Sequence, residues 1–198
     1  MKHACAGVIL SGGLNKRMEG KNKALLSVGR QSILDRLQAA FEGLFHEVLL
    51  VTKDPLQYLS WDLKIVTDLL PTRSSLTGIH TALFHVSTPY AFITACDTPF
   101  LKTGLIRILL NELEPKWDVI MPVTEQGNQP LCAIYSKRCI APIEDQLNKG
   151  DLKILNFFSK IKVKEISEER LRQADPELIS FFNINRPEDL TTAEKMLS

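Results

Sequence analysis

The sequence predicts an α/β chain built on a mostly parallel sheet, and three observations carry that prediction. Short runs of branched and aromatic apolar residues recur at positions 8–10, 48–51, 63–66 and 90–95, each suited to a strand buried on both faces. The stretches between them hold apolar residues at helical spacing, and a strand, helix, strand order returns the chain parallel to itself. At 198 residues the chain fits one domain, long enough to bury about 70% of its unfolded surface. No linker, internal repeat or low-complexity tract divides it.

The first run, Val8-Ile9-Leu10, stops at Ser11-Gly12-Gly13. Adjacent glycines permit a turn with positive φ and let bare backbone N–H groups approach a ligand where a Cβ would intrude. Lys16, Arg17, Lys21 and Lys23 follow closely, so cations are at hand for an anion cradled by those amides. Two readings stand side by side: an ordinary turn beside a solvated basic face, or a phosphate loop. G-x-G-x-x-G and G-K-[ST] are both absent, which argues against a dehydrogenase and a P-loop ATPase.

Residues 32–43 place Ile33, Leu37, Ala40 and Phe41 on one helical face, with Ser32 as N-cap and Gly43 as stop. The second strand, 48–51, completes a βαβ unit, whose ligand side lies at the carboxyl ends of its strands. A third strand at 63–66 is followed directly by Asp68. The polar run 72–77 reads as loop and 78–86 as a helix, with Ile79, Leu83 and Val86 on one face. His80 and His85 do not share a face cleanly and read as packing or surface residues.

The fourth strand, 90–95, delivers Cys96-Asp97-Thr98-Pro99. An aspartate there is either a cap or turn former or, beside a phosphate loop on the same sheet edge, a hard oxygen ligand for Mg²⁺. A helix at 105–113, a strand at 119–121, a loop at 125–130 and a strand at 131–135 follow. Two helices, 139–147 and 152–158, precede a strand at 163–166. A late strand at 181–185 sets Asn183 and Asn185 on one side and Phe182 and Ile184 on the other. The last helix opens at Pro187, with acids at its positive end.

Composition narrows the field. Basic and acidic residues number 24 and 23, so no global field points to nucleic acid or a membrane surface. The four cysteines lack C-x-x-C spacing and fall at no ligand spacing with the histidines, and no leader segment precedes them; these features predict a reduced, cytoplasmic protein without structural zinc. No apolar run is long enough to span a bilayer.

The order G-G-x-x-x-R-M with Lys23 beyond it and Leu25-Leu26 following resembles the signature loop of nucleotidyltransferases that bind a nucleoside triphosphate on a Rossmann-like sheet. The later segments, C-D-T-P at 96–99, Q-P-L at 129–131 and N-I-N-R-P-E-D-L at 183–190, most resemble the molybdenum cofactor guanylyltransferases, which join GMP to molybdopterin. The resemblance runs from Val8 to about Leu197. It implies one Rossmann-like, three-layer α/β/α domain over 1–198, with a nucleotide-binding half to about residue 100 and an acceptor-binding half from about 101.

It further implies GTP on Leu10, Ser11, Gly12, Gly13, Lys23, Asp68 and Asp97, with Arg17, Lys23 and Asp97 catalytic and Mg²⁺ on Asp97. Gln129, Pro130, Asn183 and Asn185 would line the molybdopterin side, and proteins that deliver and receive the cofactor would be partners. Asp68, at the end of the neighbouring strand, would hydrogen-bond the nucleotide or order the metal shell. The chain departs from the family pattern at Val51-Thr52-Lys53, where relatives often carry asparagine, and at Ser74-Ser75-Leu76, where a glycine is common. Two rivals share the glycine loop: a transferase using CTP or UTP with a sugar or alditol phosphate, and a non-catalytic nucleotide-binding subunit.

Overall fold

The computed structural model describes residues 4–12 and 22–197. Its elements run β1 (Cys5–Ser11), β2 (Ser27–Val28), β3 (Gln31–Ser32), α1 (Ile33–Phe41), β4 (Val48–Thr52), β5 (Lys64–Val66), α2 (Ser75–His85), β6 (Tyr90–Ala95) and α3 (Thr103–Asn111), then β7 (Val119–Thr124), β8 (Gly127–Asn128), β9 (Cys132–Ser136), α4 (Ile140–Asn148), β10 (Val163–Ser167), α5 (Glu168–Arg172) and α6 (Pro187–Lys195). One sheet takes the order β10-β7-β9-β6-β1-β4-β5, with β8 paired to β7. Strands β1, β4, β5 and β6 are parallel, as are β7 and β10, while β9 runs antiparallel to both its neighbours.

From β1 the chain builds outward through β4 and β5, then crosses back to lay β6 on the other side of β1. The order reverses between β1 and β6, and at such a switch point the loops leaving the two strands part to form a crevice. Because β9 is antiparallel, its first residue lies beside the last residues of β6, with Cys132 opposite Thr94. Three loops therefore meet at one edge: after β1, after β6 and before β9.

Strand β1 shows why its apolar run is unbroken. Cys5 and Ile9 face one core with Leu34, Phe41 and Phe92, while Ala6, Val8 and Leu10 face a second with Leu76, Ile79 and Leu83. Helices on both faces bury the strand completely, the three-layer arrangement the sequence predicts. At Gly7 an added Cβ would come within 2.6 Å of the Phe41 and Phe45 rings, so the strand's glycine admits an aromatic cluster.

Helix α1 has the expected ends. Ser32 Oγ accepts the Asp35 N–H at 3.1 Å and Asp35 Oδ2 accepts the Ser32 N–H at 3.1 Å, a capping box, and Gly43 follows the helix at φ +72°. Three expectations are corrected. Helix α2 begins at Ser75 within the stretch read as loop, because Ser74 is its N-cap and accepts the Thr77 N–H at 3.0 Å; the polar run supplies the cap as well as the loop. Residues 154–160 form a 3₁₀ helix, not an α-helix. Residues 181–185 are not a strand: Ile184 N–H donates to the Asp97 carbonyl at 2.8 Å, but no ladder forms. The segment crosses the carboxyl end of β6 instead of lying beside a strand.

Candidate active site

The switch point collects most of the residues singled out by sequence. Ser11 ends β1 and is buried, and Gly12 follows it into solvent. Among the described residues, a Cβ built on Gly12 meets nothing within 4 Å. Gly13 and Arg17, with Lys16 and Lys21, lie outside the described residues.

Beyond that stretch, Asn22 caps a short helical turn, Lys23–Leu25. Lys23 Nζ reaches Asp97 Oδ2 at 3.3 Å and donates to Asn185 Oδ1 at 2.7 Å. Side chains from the first, middle and last parts of the sequence thus converge on one ammonium group. Both charged side chains are largely withdrawn from water, Lys23 to 15% and Asp97 to 20% exposure. Burial pushes the Asp97 carboxyl above the usual range, and the Lys23 ammonium only partly offsets it. A carboxylate perturbed by burial beside a charged partner in a crevice marks a candidate functional site.

Asp97 also suits a divalent metal by arrangement. Among the described residues no group of three or more His, Cys, Asp or Glu side chains gathers as a metal cage. A single carboxylate at a crevice fits an ion such as Mg²⁺, which keeps most of its shell for water and substrate phosphates.

The remaining predicted residues fall at different distances. Asn183 is exposed and donates from Nδ2 to the Phe181 carbonyl at 3.1 Å. Asn185, the other asparagine expected on the acceptor side, accepts from Lys23 Nζ, so the two asparagines have different partners. Gln129 and Pro130 precede β9 at the same edge; Gln129 Nε2 donates to Thr124 Oγ1 at 3.2 Å, and the Pro130 carbonyl accepts from Tyr135 Oη at 2.7 Å. The Leu10 carbonyl accepts the Cys96 N–H at 3.0 Å, and its side chain packs on Gly78 of α2.

Asp68 corrects the expectation of a neighbouring strand. It follows β5, three places from β6 in the sheet order, roughly 14 Å at the usual strand spacing. It is half-buried, and burial raises its pKa while Arg73 opposes the rise. The two departures from the family pattern serve local structure. Thr52 Oγ1 accepts the Asp54 N–H at 3.2 Å, and Ser74 caps α2.

Sequence reasoning missed Tyr58 and Asn22. Tyr58 is fully buried, and its hydroxyl lies 2.5 Å from Ser11 Oγ and accepts from Asn22 Nδ2 at 2.7 Å. The available signal was an aromatic residue with a polar tip just beyond a strand's carboxyl end, where a buried hydroxyl needs partners.

A Rossmann-like sheet with Ser11-Gly12 at the end of β1, and a lysine and an aspartate gathered at its switch point, has the make-up of a nucleotidyltransferase. Comparison with known proteins gives the same class. The chain belongs to the MobA-like NTP transferase family, whose domain model matches residues 7–164. It is 42% identical to a molybdenum cofactor guanylyltransferase of Desulfosudis oleivorans, covering 96% of this chain and 95% of the relative. A probable molybdenum cofactor guanylyltransferase of Natranaerobius thermophilus is 38% identical, with 97% and 96% covered. Among solved structures, the molybdopterin-guanine dinucleotide biosynthesis protein A of Archaeoglobus fulgidus superposes with a TM-score of 0.85 at 28% identity, over 97% of this chain and 98% of that one.

Proposed function

We propose that the chain transfers the GMP moiety of GTP to the terminal phosphate of molybdopterin, forming the guanine dinucleotide cofactor and releasing pyrophosphate. The observation that carries this reading is the Lys23 ammonium held between Asp97 and Asn185, in a chain whose relatives of near-equal length carry the guanylyltransferase name.

The reaction needs positioning and charge neutralisation more than covalent help. An oxygen of the acceptor phosphate attacks the α-phosphorus, a new P–O bond forms, and the bond to the β-phosphate breaks as pyrophosphate leaves. The attacking phosphate is already ionised near neutral pH, so no side chain need remove a proton. Lys23 has three N–H donors, two of them engaged by Asp97 and Asn185; the third serves a triphosphate oxygen. Backbone amides from Ser11 to Gly13 and the Arg17 guanidinium complete the phosphate grip.

Asp97 would hold the divalent ion, which we take to be Mg²⁺; when bound it neutralises phosphate charge and favours in-line displacement. Gln129, Pro130 and Asn183 would face the pterin, and Asp68 the nucleoside end of GTP, away from the metal. The chain works as one domain, its first half to about residue 100 binding nucleotide and its second half binding acceptor, with Asn185 reaching back across that division. No helix among the described residues is long and apolar enough to cross a membrane, and the four cysteines are buried and unpaired, in keeping with a reducing cytoplasm. Proteins that deliver the pterin and take up the product would be its partners.

The test is pyrophosphate release from GTP, CTP, UTP and ATP with Mg²⁺, with and without molybdopterin. Release confined to GTP plus the pterin is expected. Release with CTP or UTP and a sugar phosphate would overturn the acceptor and base assignment, and no release under any pairing would favour a binding subunit.

A further inference from the structure

We propose that Tyr58 is a positioning residue for nucleotide binding: its buried hydroxyl fixes Asn22, and Asn22 fixes the turn that presents Lys23. The inference rests on the nucleotidyltransferase reading of the switch point but not on the choice of guanine.

Tyr58 ends a short helical turn, Pro55–Tyr58, that follows β4. Its side chain is fully buried, with the ring 6.1 Å from that of Trp61. Burial also keeps the phenol in its neutral form by raising its pKa. The hydroxyl is therefore a hydrogen-bonding group and not a charge, and leaving it unpaired would be costly.

Its partners are the point. Asn22 Nδ2 donates to Tyr58 Oη at 2.7 Å and to Gln57 Oε1 at 2.8 Å. With the amide so oriented, Asn22 Oδ1 accepts the Ala24 N–H at 3.2 Å, which is the cap of the Lys23–Leu25 turn. The same hydroxyl shares a 2.5 Å hydrogen bond with Ser11, the last residue of β1. One phenol thus joins three loops at the ligand edge.

A phenylalanine would fill the same space and keep the ring packing. What it would lose is the hydroxyl that holds Asn22, while Ser11 keeps its backbone place in β1. Deleting this buried hydroxyl should then appear as a nucleotide defect in a folded enzyme. A group about 1 Å out of place can cost two orders of magnitude in rate, so a loosened Lys23 is readily detected.

The experiment compares wild type, Tyr58→Phe, Asn22→Ala and the double variant in the full chain. Calorimetric titration with GTP, ATP, CTP and UTP first establishes which triphosphate the wild type takes. For that nucleotide, Tyr58→Phe is expected to weaken binding about tenfold, leave the acceptor KM within about twofold, and keep the melting temperature within about 3 °C. The double variant should bind no worse than Asn22→Ala alone, because Tyr58 acts through Asn22.

Nucleotide affinity within about twofold of wild type, an equal loss for both substrates that follows a fall in folded fraction, or independent, multiplicative losses in the double variant would each overturn the proposal. Should the wild type take CTP in place of GTP, the guanylyl assignment fails while the Tyr58 test proceeds with CTP. Should it bind none of the four, both fall.

Discussion

Replacing Asp97 by asparagine should separate stability from turnover. Asp97 Oδ2 stands 3.3 Å from Lys23 Nζ, an attraction of about 5 kcal/mol at an effective dielectric of about 20. Both side chains are mostly buried, and withdrawing each ion from water costs several kcal/mol, so the pair is near break-even. Asparagine is close in shape and keeps an oxygen for Lys23, which also retains its 2.7 Å bond to Asn185. In metal-free buffer with chelator, Asp97→Asn should therefore melt within about 4 °C of wild type, the equivalent of roughly 1 kcal/mol for a chain of this size.

Turnover should respond very differently. On the proposed function the carboxylate anchors the metal, and its attraction to a doubly charged ion would exceed that to Lys23. We expect kcat for pyrophosphate release to fall at least about a thousandfold, which is about 4 kcal/mol of barrier. Thermal melts in chelator and steady-state assays across Mg²⁺ concentrations read the two effects independently. A kcat within about tenfold of wild type would refute the metal assignment. A melting temperature lowered by much more than 4 °C would refute the reasoning that the buried pair breaks even.

Three further outcomes test other parts of the structure. Asn185→Ala removes a hydrogen bond to a charged group, worth about 1.5–3 kcal/mol, so kcat/KM for GTP should fall about tenfold or more, whereas Asn183→Ala should spare it; an unaltered GTP response in both would detach the C-terminal segment from the nucleotide. Gly7→Ala forces a Cβ to within 2.6 Å of the Phe41 and Phe45 rings and should cost about 1–3 kcal/mol in urea denaturation, with no loss indicating that the rings yield freely. Burial pushes the Asp175 carboxyl upward, but Lys102 and Ser180 together outweigh it and hold its pKa below the ordinary value. The stability it lends is thus complete above an unfolded carboxyl pKa of about 3.9 and drains as pH falls through the lower folded value. Asp175→Asn should shrink the difference in urea midpoint between pH 7 and pH 3; an undiminished difference would place the acid sensitivity elsewhere.

The sequence by itself determined the elements whose causes are local. The run in β1 is apolar throughout because both its faces are covered, and such a run is visible without coordinates. Ser32 and Gly43 bounded α1 because cap chemistry acts within a few residues. Lys23 and Asp97 were legible from the loop pattern and from an acid at a strand's carboxyl end.

Only the tertiary structure decided which of these groups meet. Asn183 and Asn185 share a pattern, yet one is exposed and the other grips Lys23, because residues 181–185 cross the sheet edge without forming a ladder, and no strand periodicity then governs their side chains. Asp68 follows a strand as Asp97 does, but the order β6-β1-β4-β5 puts β5 three places away, and strand order depends on long-range pairing that local patterns do not encode. Tyr58 and Asn22 are 36 positions apart and carry no motif; their bond exists because the sheet brings the ends of β1 and β4 side by side. Residue types and spacing set the chemistry available to this chain, and the packing of distant loops at one switch point selected which side chains share it.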